Sequence, residues 1–369
     1  GFIRRVGGTK TSLVKLIDGF VDDKVQDKAP GYLEELEAIE KRLLPIPEGF
    51  ESMEEGPSLE DEAEAAFQEL MAGDSELVEA AQQELEADLG APSVEGLEGE
   101  EGIFDLYGDL RRMIKWALLF TKYRIELTEI LARTYSDVEL FTPLLVDMEK
   151  GLNDPAKTTI IQQLEMQAAI SDVSIRGKLR RAPDARVHPF VGFDPRRKDA
   201  VDIVRGAVRK YGCVGVKMYP PMGFRPLGNA EFPVPEGMTL EGAQSADATL
   251  RELYSFCSEE DVPITAHGNP TNFASKAFEE FSSPGNWEKV LEEFPKLHLN
   301  IGHFGGSGKG EFADWPRDFA KLGARFDHFY ADIGNHRLGQ DLEDYIENLK
   351  ALFADPTTQP MQDRLMFGT

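Results

Sequence analysis

From residue 137 onward, short apolar runs alternate with longer stretches whose apolar positions recur at helical spacing. The runs are Leu140–Met148, Val187–Phe193, Val214–Tyr219, Val262–His267, Leu297–Gly302, His328–Ile333 and Arg364–Gly368. Helical stretches fall between them near Lys157–Ile170, Lys198–Lys210, Ala248–Glu260, Trp287–Phe294, Pro316–Leu322 and Leu342–Phe353. Strands that alternate regularly with helices predict a parallel sheet. Seven strands are one short of a closed eight-stranded barrel. The expected fold is therefore α/β, a (β/α)8 TIM barrel lacking its first strand and last helix. Side-chain alternation refines this. Val262, Ile264 and Ala266 face one way, and Thr265 and His267 the other; Val214, Val216 and Met218 likewise oppose Gly215, Lys217 and Tyr219. The aliphatic set should meet the helices, which leaves Lys217, Tyr219 and His267 toward the barrel axis. The run before His303 breaks the rule, because His298 and Asn300 fall on the face expected to meet helices.

Ahead of residue 137 the pattern is different. Thr11–Asp22 and Tyr32–Leu44 have helical spacing, and Phe104–Tyr135 reads as one long helix or two. Between them the chain is acidic: from Leu43 to Leu110 there are 21 Asp and Glu and no Lys or Arg. The whole chain carries −26, so the acidity belongs to this segment. Leu59–Leu89 keeps apolar residues at helical intervals, and Pro92–Gly102 is Gly- and Glu-rich like a linker. Residues 1–26 are thus read as the first barrel helix region, 27–136 as an acidic helical insertion, and 137–369 as barrel strands two to eight. An insertion after strand one emerges on the catalytic face, so its helical part is expected to cap that face.

Charge and composition narrow the partners. Phosphates would be repelled from the acidic segment, so no nucleic acid is expected there. No apolar run approaches the roughly 20 residues needed to span a bilayer, and no basic-then-apolar leader opens the chain. A cytoplasmic protein acting on a small molecule is expected, with a homo-oligomer left open. Cys213 and Cys257 are the two cysteines and read as reduced, buried thiols.

The candidate chemistry sits at strand ends. In a barrel of this kind the carboxyl ends of the strands form the active face. His267 ends Val262-Pro-Ile-Thr-Ala-His267, and His303 follows Leu297-His-Leu-Asn-Ile-Gly302; either can bind metal or move a proton near neutral pH. Asn269 follows His267 by two residues, Asp147, Asp332 and His336 lie at other strand ends, and Arg225 lies in the loop Pro-Pro-Met-Gly-Phe-Arg225-Pro, where it could grip an anion. The glycine-rich Gly302–Gly310 lacks the spacing of a P-loop, and no nucleophile elbow is present.

These residues resemble a family. Phe294-Pro-Lys-Leu-His-Leu-Asn-Ile-Gly-His-Phe-Gly-Gly306 after Trp287, with Val262–His267, Gly215-Val-Lys-Met-Tyr-Pro-Pro221 and Arg364-Leu-Met-Phe-Gly-Thr369, resembles the amidohydrolase-related branch of the amidohydrolase superfamily over roughly residues 137–369. The resemblance implies a metal-dependent barrel enzyme, with zinc first and manganese as the alternative. It implies His267 as a metal ligand and His303 as the proton-handling group. Lys217, Tyr219, Arg225, Asn269, Asp332, His336 and Asp147 would line the substrate pocket. Lys217 has three readings: carboxylated to bridge two metals, holding a substrate carboxylate, or paired with a barrel carboxylate. The implied reaction is hydrolysis of a C–N or C–O bond by metal-activated water. Its alternatives are non-oxidative decarboxylation of an unsaturated or aromatic acid, and a non-catalytic scaffold that binds a partner through the acidic insertion. The family's HxH pair of strand one and its Asp after the strand-eight FGT have no match here, so a fragment of a longer protein is expected.

Overall fold

The computed structural model describes residues 28–44, 59–73, 114–270, 273–306, 312–334 and 342–366, with single positions at 19, 76, 79, 80, 83 and 111. Apart from Gly19, which is helical, the expected helix at Thr11–Asp22 lies outside these residues, as does the linker at Pro92–Gly102. The chain divides into two compact units, Gly1–Asp137 with Lys178–Pro183, and Val138–Gly177 with Asp184–Thr369.

The first unit contains α1 (Tyr32–Leu43), α2 (Leu59–Met71) and α3 (Arg124–Thr134). The long Phe104–Tyr135 stretch is interrupted: residues 114–119 are helical, 120–123 form a turn, and α3 starts afresh at Arg124. Helices α1 and α3 bury Ala38, Ile39, Ile125 and Ala132. Two carboxylates are buried with them. Glu35 accepts from the Arg124 backbone N–H at 2.9 Å and from its guanidinium at 2.8 Å, and burial still pushes its carboxyl above the ordinary range. Glu129 takes the Arg42 guanidinium at 2.9 and 3.1 Å and the backbone N–H of Arg180 at 3.0 Å. That last bond ties the 178–183 segment to α3. In α2 the helical interval places Ala63 and Phe67 in the interior, so the first half of the Leu59–Leu89 expectation is helix.

The second unit alternates as expected. Strands β1 (Leu140–Phe141) and β2 (Arg186–Val187) pair in parallel, and Leu144 bridges to Phe190. Then β3 (Phe190–Phe193), β4 (Gly215–Met218), β5 (Ile264–His267), β6 (Leu299–Gly302), β7 (Phe329–Asp332) and β8 (Leu365–Met366) lie side by side in that order, all parallel. Sequential order without a reversal is the order of a barrel wall and excludes a doubly wound sheet. Among the described residues the arc stays open; no closed barrel forms.

Helices intervene: α4 (Glu149–Leu152), α5 (Ile160–Ile175), α6 (Ala200–Tyr211), α7 (Leu240–Glu259), α8 (Pro284–Glu293), α9 (Trp315–Arg325) and α10 (Leu342–Ala354). Helix α7 begins two turns earlier than its apolar spacing suggests. Thr239 caps it by accepting from Gly242 N–H at 3.1 Å, and small Ala243 and Ala246 continue the buried stripe of Leu250, Leu253, Tyr254 and Cys257. Thr159 caps α5 in the same way, with Gln162 returning the bond. The core is the aliphatic side of the strands (Val191, Val216, Ile264, Leu299, Ile301) against Val204, Leu250, Trp287, Val290 and Phe319. Each such buried side chain contributes about 1.5–3 kcal/mol. With that side filled, the opposite parity is left for the site.

Candidate active site

Register places the inward residues in one layer. Gly192 of β3 is opposite Lys217, Lys217 is opposite Thr265, Thr265 opposite Asn300, and Asn300 opposite Tyr330. One step toward the carboxyl ends lie Tyr219, His267, Gly302 and Asp332. The Tyr219 ring stacks on His267 at 4.2 Å between centroids, and His267 meets His303 edge-on at 4.9 Å. His267 is 1% exposed, sealed at a strand end by these two rings.

His303 arrives by a departure from strand geometry. Had β6 continued, its side chain would share the outward side with Leu299 and Ile301. Instead the strand ends at Gly302, and His303 and Phe304 take φ of 65° and 41°. Positive φ in two successive non-glycine residues costs on the order of 1–3 kcal/mol each. Several contacts offset this. Phe304 is fully buried, His303 N–H donates to Asp332 Oδ1 at 3.2 Å, and His303 Nδ1 lies 3.0 Å from Gly334 O. A carbonyl only accepts, so Nδ1 carries a hydrogen, and in the neutral ring the lone pair is on Nε2.

The same parity corrects the reading of β6. Asn300 faces the interior: its Nδ2 donates to Asp332 Oδ2 at 2.9 Å, and its Oδ1 is buried with no hydrogen-bond partner among the described residues. Asp332 also accepts from Gly334 N–H at 3.1 Å. Three N–H groups therefore fix this carboxylate.

Lys217 is 5% exposed. Among the described residues it forms no hydrogen bond or ion pair. Burial lowers its ammonium from the usual 10.5 to about 8, and the field of Asp332 opposes only part of that. Gly302 is closely packed against this layer: a Cβ there would stand 3.2 Å from Ala266 O, 3.5 Å from Asp332 Oδ2 and 3.9 Å from Lys217 Nζ.

The remaining expected pocket residues separate. Asn269 is half-buried beside Gly306. Asp147 is buried in a two-pronged pair with Arg197, whose Nη2 is 2.9 Å from Asp147 Oδ1 and 2.9 Å from Glu149 Oε2. Asp147, and then Glu149, hold this guanidinium above the ordinary arginine range. The cluster borders a cavity of about 390 Å³. Arg225 is occupied by its own loop: the guanidinium donates to Gly228 O at 3.3 Å and Pro233 O at 2.8 Å, over the Phe281 ring. Both terminal nitrogens of this guanidinium thus hold its own loop. His336 lies outside the described residues. His298 and His328 sit at the opposite, amino-terminal ends of β6 and β7, rings 4.4 Å apart, with Asp261 3.2 Å from His298 Nε2. Reading from sequence alone overlooked Asn300 and Arg197. Asn300 was detectable from its shared parity with Gly302; Arg197 follows β3 in a loop, where spacing carries no signal.

A parallel arc with imidazoles, a lysine and a carboxylate at its carboxyl ends has the layout of a barrel enzyme's active face. The family comparison agrees: the Amidohydrolase family model matches residues 129–369, and the chain belongs to that family. No curated protein matches the chain. The family is one of TIM-barrel hydrolases and decarboxylases whose members typically bind divalent metal ions. Among the described residues, no group of three or more His, Cys, Asp and Glu side chains could hold a metal ion. A catalytic zinc takes three protein ligands. Here His267 and His303 offer two imidazoles, and Asp332 is already engaged by three N–H donors. The described side chains do not make a metal site by themselves, and no chemical step below is drawn through one. None of the described helices is long and apolar enough to cross a membrane.

Proposed function

We propose that the chain acts as a hydrolase on a C–N or C–O bond of a small molecule, with His303 as its proton-handling group. The orientation of His303 carries this reading. Its Nδ1–H is held on Gly334 O, and Nε2 is left as a base at the carboxyl end of the sheet, beside His267. Nε2 would take a proton from the attacking water and return it to the leaving nitrogen or oxygen. Asp332 holds the backbone of His303, and Lys217 would contact the polar end of the substrate. Tyr219 and His267 would form the wall behind it. His267 is also the residue that would ligate the family's divalent ion, zinc before manganese.

The test separates the two histidines. His303→Ala should lower kcat by roughly 10²–10⁴, the usual span for lost acid–base help, with bound metal by elemental analysis unchanged. His267→Ala should lower the metal content itself. Equal metal loss in both variants would show that His303 is a ligand and that the proton-handling role is misassigned. A kcat unchanged in His303→Ala would overturn the role given to His303, and no turnover by the wild-type chain would favour the scaffold alternative.

A further inference from the structure

Lys217, Tyr219, His267 and His303 do not line the cavity of about 390 Å³ beside Arg197. It is formed by the segment from Val146 to Gln163, which carries α4 and the start of α5, and by Arg197 after β3. Its volume is that of a small-molecule pocket. Part of the wall is apolar: Val146, Leu152, Pro155 and Ile160 line it, and Leu152 is left 41% exposed. The α5 side is held in place by the Thr159 cap and by Gln163 Nε2, which donates to Thr158 O at 3.0 Å. Charged residues complete the lining: Asp147, Glu149, Asp154, Lys157 and Arg197. Three carboxylates against two cations leave one negative charge in excess. Arg197 does not offset this further, because its Nε and Nη2 are already taken by Asp147 and Glu149. The excess gathers at one end. Asn153, left-handed at φ 50°, turns the chain after α4 and returns Asp154 N–H to Glu149 O at 3.3 Å. Glu149 Oε1 comes no nearer than 3.9 Å to Lys150 Nζ, and among the described residues the Asp154 carboxylate forms no ion pair.

We propose that this cavity binds a small organic ammonium ion, with its charge beside Glu149 and Asp154 and its apolar body against Leu152, Pro155 and Ile160. A monocation neutralises the excess charge of the lining, a neutral ligand leaves it, and an anion adds to it. An ammonium group also supplies N–H donors to carboxylate oxygens that lack a close partner. Its hydrocarbon part covers the exposed face of Leu152, which removes apolar surface from water. The inference does not depend on the hydrolytic reading, since binding here needs neither His303 nor a metal ion.

Ligand-observed NMR titration of the intact chain tests it with probes of similar shape and different charge: 2-phenylethylammonium, 2-phenylethanol and phenylacetate. The ammonium should bind saturably, with a Kd on the order of 1 mM for a ligand of this size. It should bind about two- to fivefold tighter than the alcohol, the span of a partly exposed ion pair, and phenylacetate should bind weakest. Asp154→Asn, at an exposed residue, should weaken the ammonium by about two- to fivefold and leave the alcohol unchanged. A chain of net charge −26 also gathers cations without a site. Ala156→Trp separates the two effects, because it fills the cavity from an exposed lining residue and keeps the charge. It should abolish saturable binding of the ammonium while circular dichroism stays that of wild type. The alcohol or phenylacetate binding as tightly as the ammonium, or no saturable ammonium binding up to about 10 mM, would overturn the proposal. So would undiminished ammonium binding in a folded Ala156→Trp variant or in Asp154→Asn.

Discussion

Replacing Lys217 with Met should make the protein more stable near neutral pH. The side chains are similar in length, so the change removes a charge with little change in volume. The magnitude follows from the ammonium being lowered from 10.5 to about 8. One unit is worth 1.36 kcal/mol, so the folded state carries a penalty of about 3 kcal/mol while Lys217 is protonated in both states. Below about pH 8 that penalty is present in full. Between about pH 8 and 10.5 the folded protein has released the proton and the unfolded chain still binds it, so wild-type stability rises with pH. Above that window neither state is charged and the penalty is gone. Urea unfolding with a chelator present, at several pH values from neutral to alkaline, reads the difference between the two proteins. Other lysines and tyrosines titrate in both proteins and cancel. The Met variant should lead by about 3 kcal/mol at neutral pH and lose the lead by about pH 10.5. A lead that does not vary with pH, or a variant less stable by a similar amount at neutral pH, would mean that Lys217 gains a partner in solution and is not a desolvated amine.

Two further outcomes follow from other buried groups. Arg197→Met leaves the buried carboxylate of Asp147 without its two-pronged partner, so unfolding free energy should fall by about 3–5 kcal/mol. Adding Asp147→Asn should recover part of it, and a single variant as stable as wild type would show that the pair contributes nothing. Burial pushes the thiols of Cys213 and Cys257 up to about 12, so a disulfide reagent should find neither in the native protein and both after unfolding. A prompt reaction of either thiol in native buffer would contradict the packing around α6 and α7.

How far the pattern of the chain was readable depended on what set it. Strand and helix order in the second unit was readable because burial imposes two clean periods, two residues in β4 and β5 and about 3.6 in α6 and α7. Boundaries were less so. The start of α7 was placed late because Ala243 and Ala246 are small and carry little hydrophobic signal, although Thr239 was there as a cap. The break at residues 120–123 is not apolar patterning at all. It is a turn after which Glu126 accepts from Tyr123 N–H at 3.3 Å to start α3.

The site was readable in part, and the failure at β6 shows why. Alternation assumes that a strand continues, and for His267 it does, so its inward direction follows from Ile264 and Ala266. For His303 the same rule gives the wrong side, because the strand has already ended at Gly302. The side chain is brought round by two left-handed residues. What permits them is long-range: Phe304 is buried against the ring of Phe353 at 6.4 Å, and Asp332 and Gly334, some 30 residues downstream, hold the backbone and ring of His303. No local window contains that information. The misfit was nevertheless visible as a polar pair, His298 and Asn300, on a face that ought to be aliphatic. Once the parity of β6 is read from Leu299 and Ile301, Asn300 must face Thr265 and Asp332, and His303 can join the site only by leaving the strand. A parity conflict next to a candidate catalytic residue is thus itself a signal, pointing to strained backbone where the side chain must turn inward.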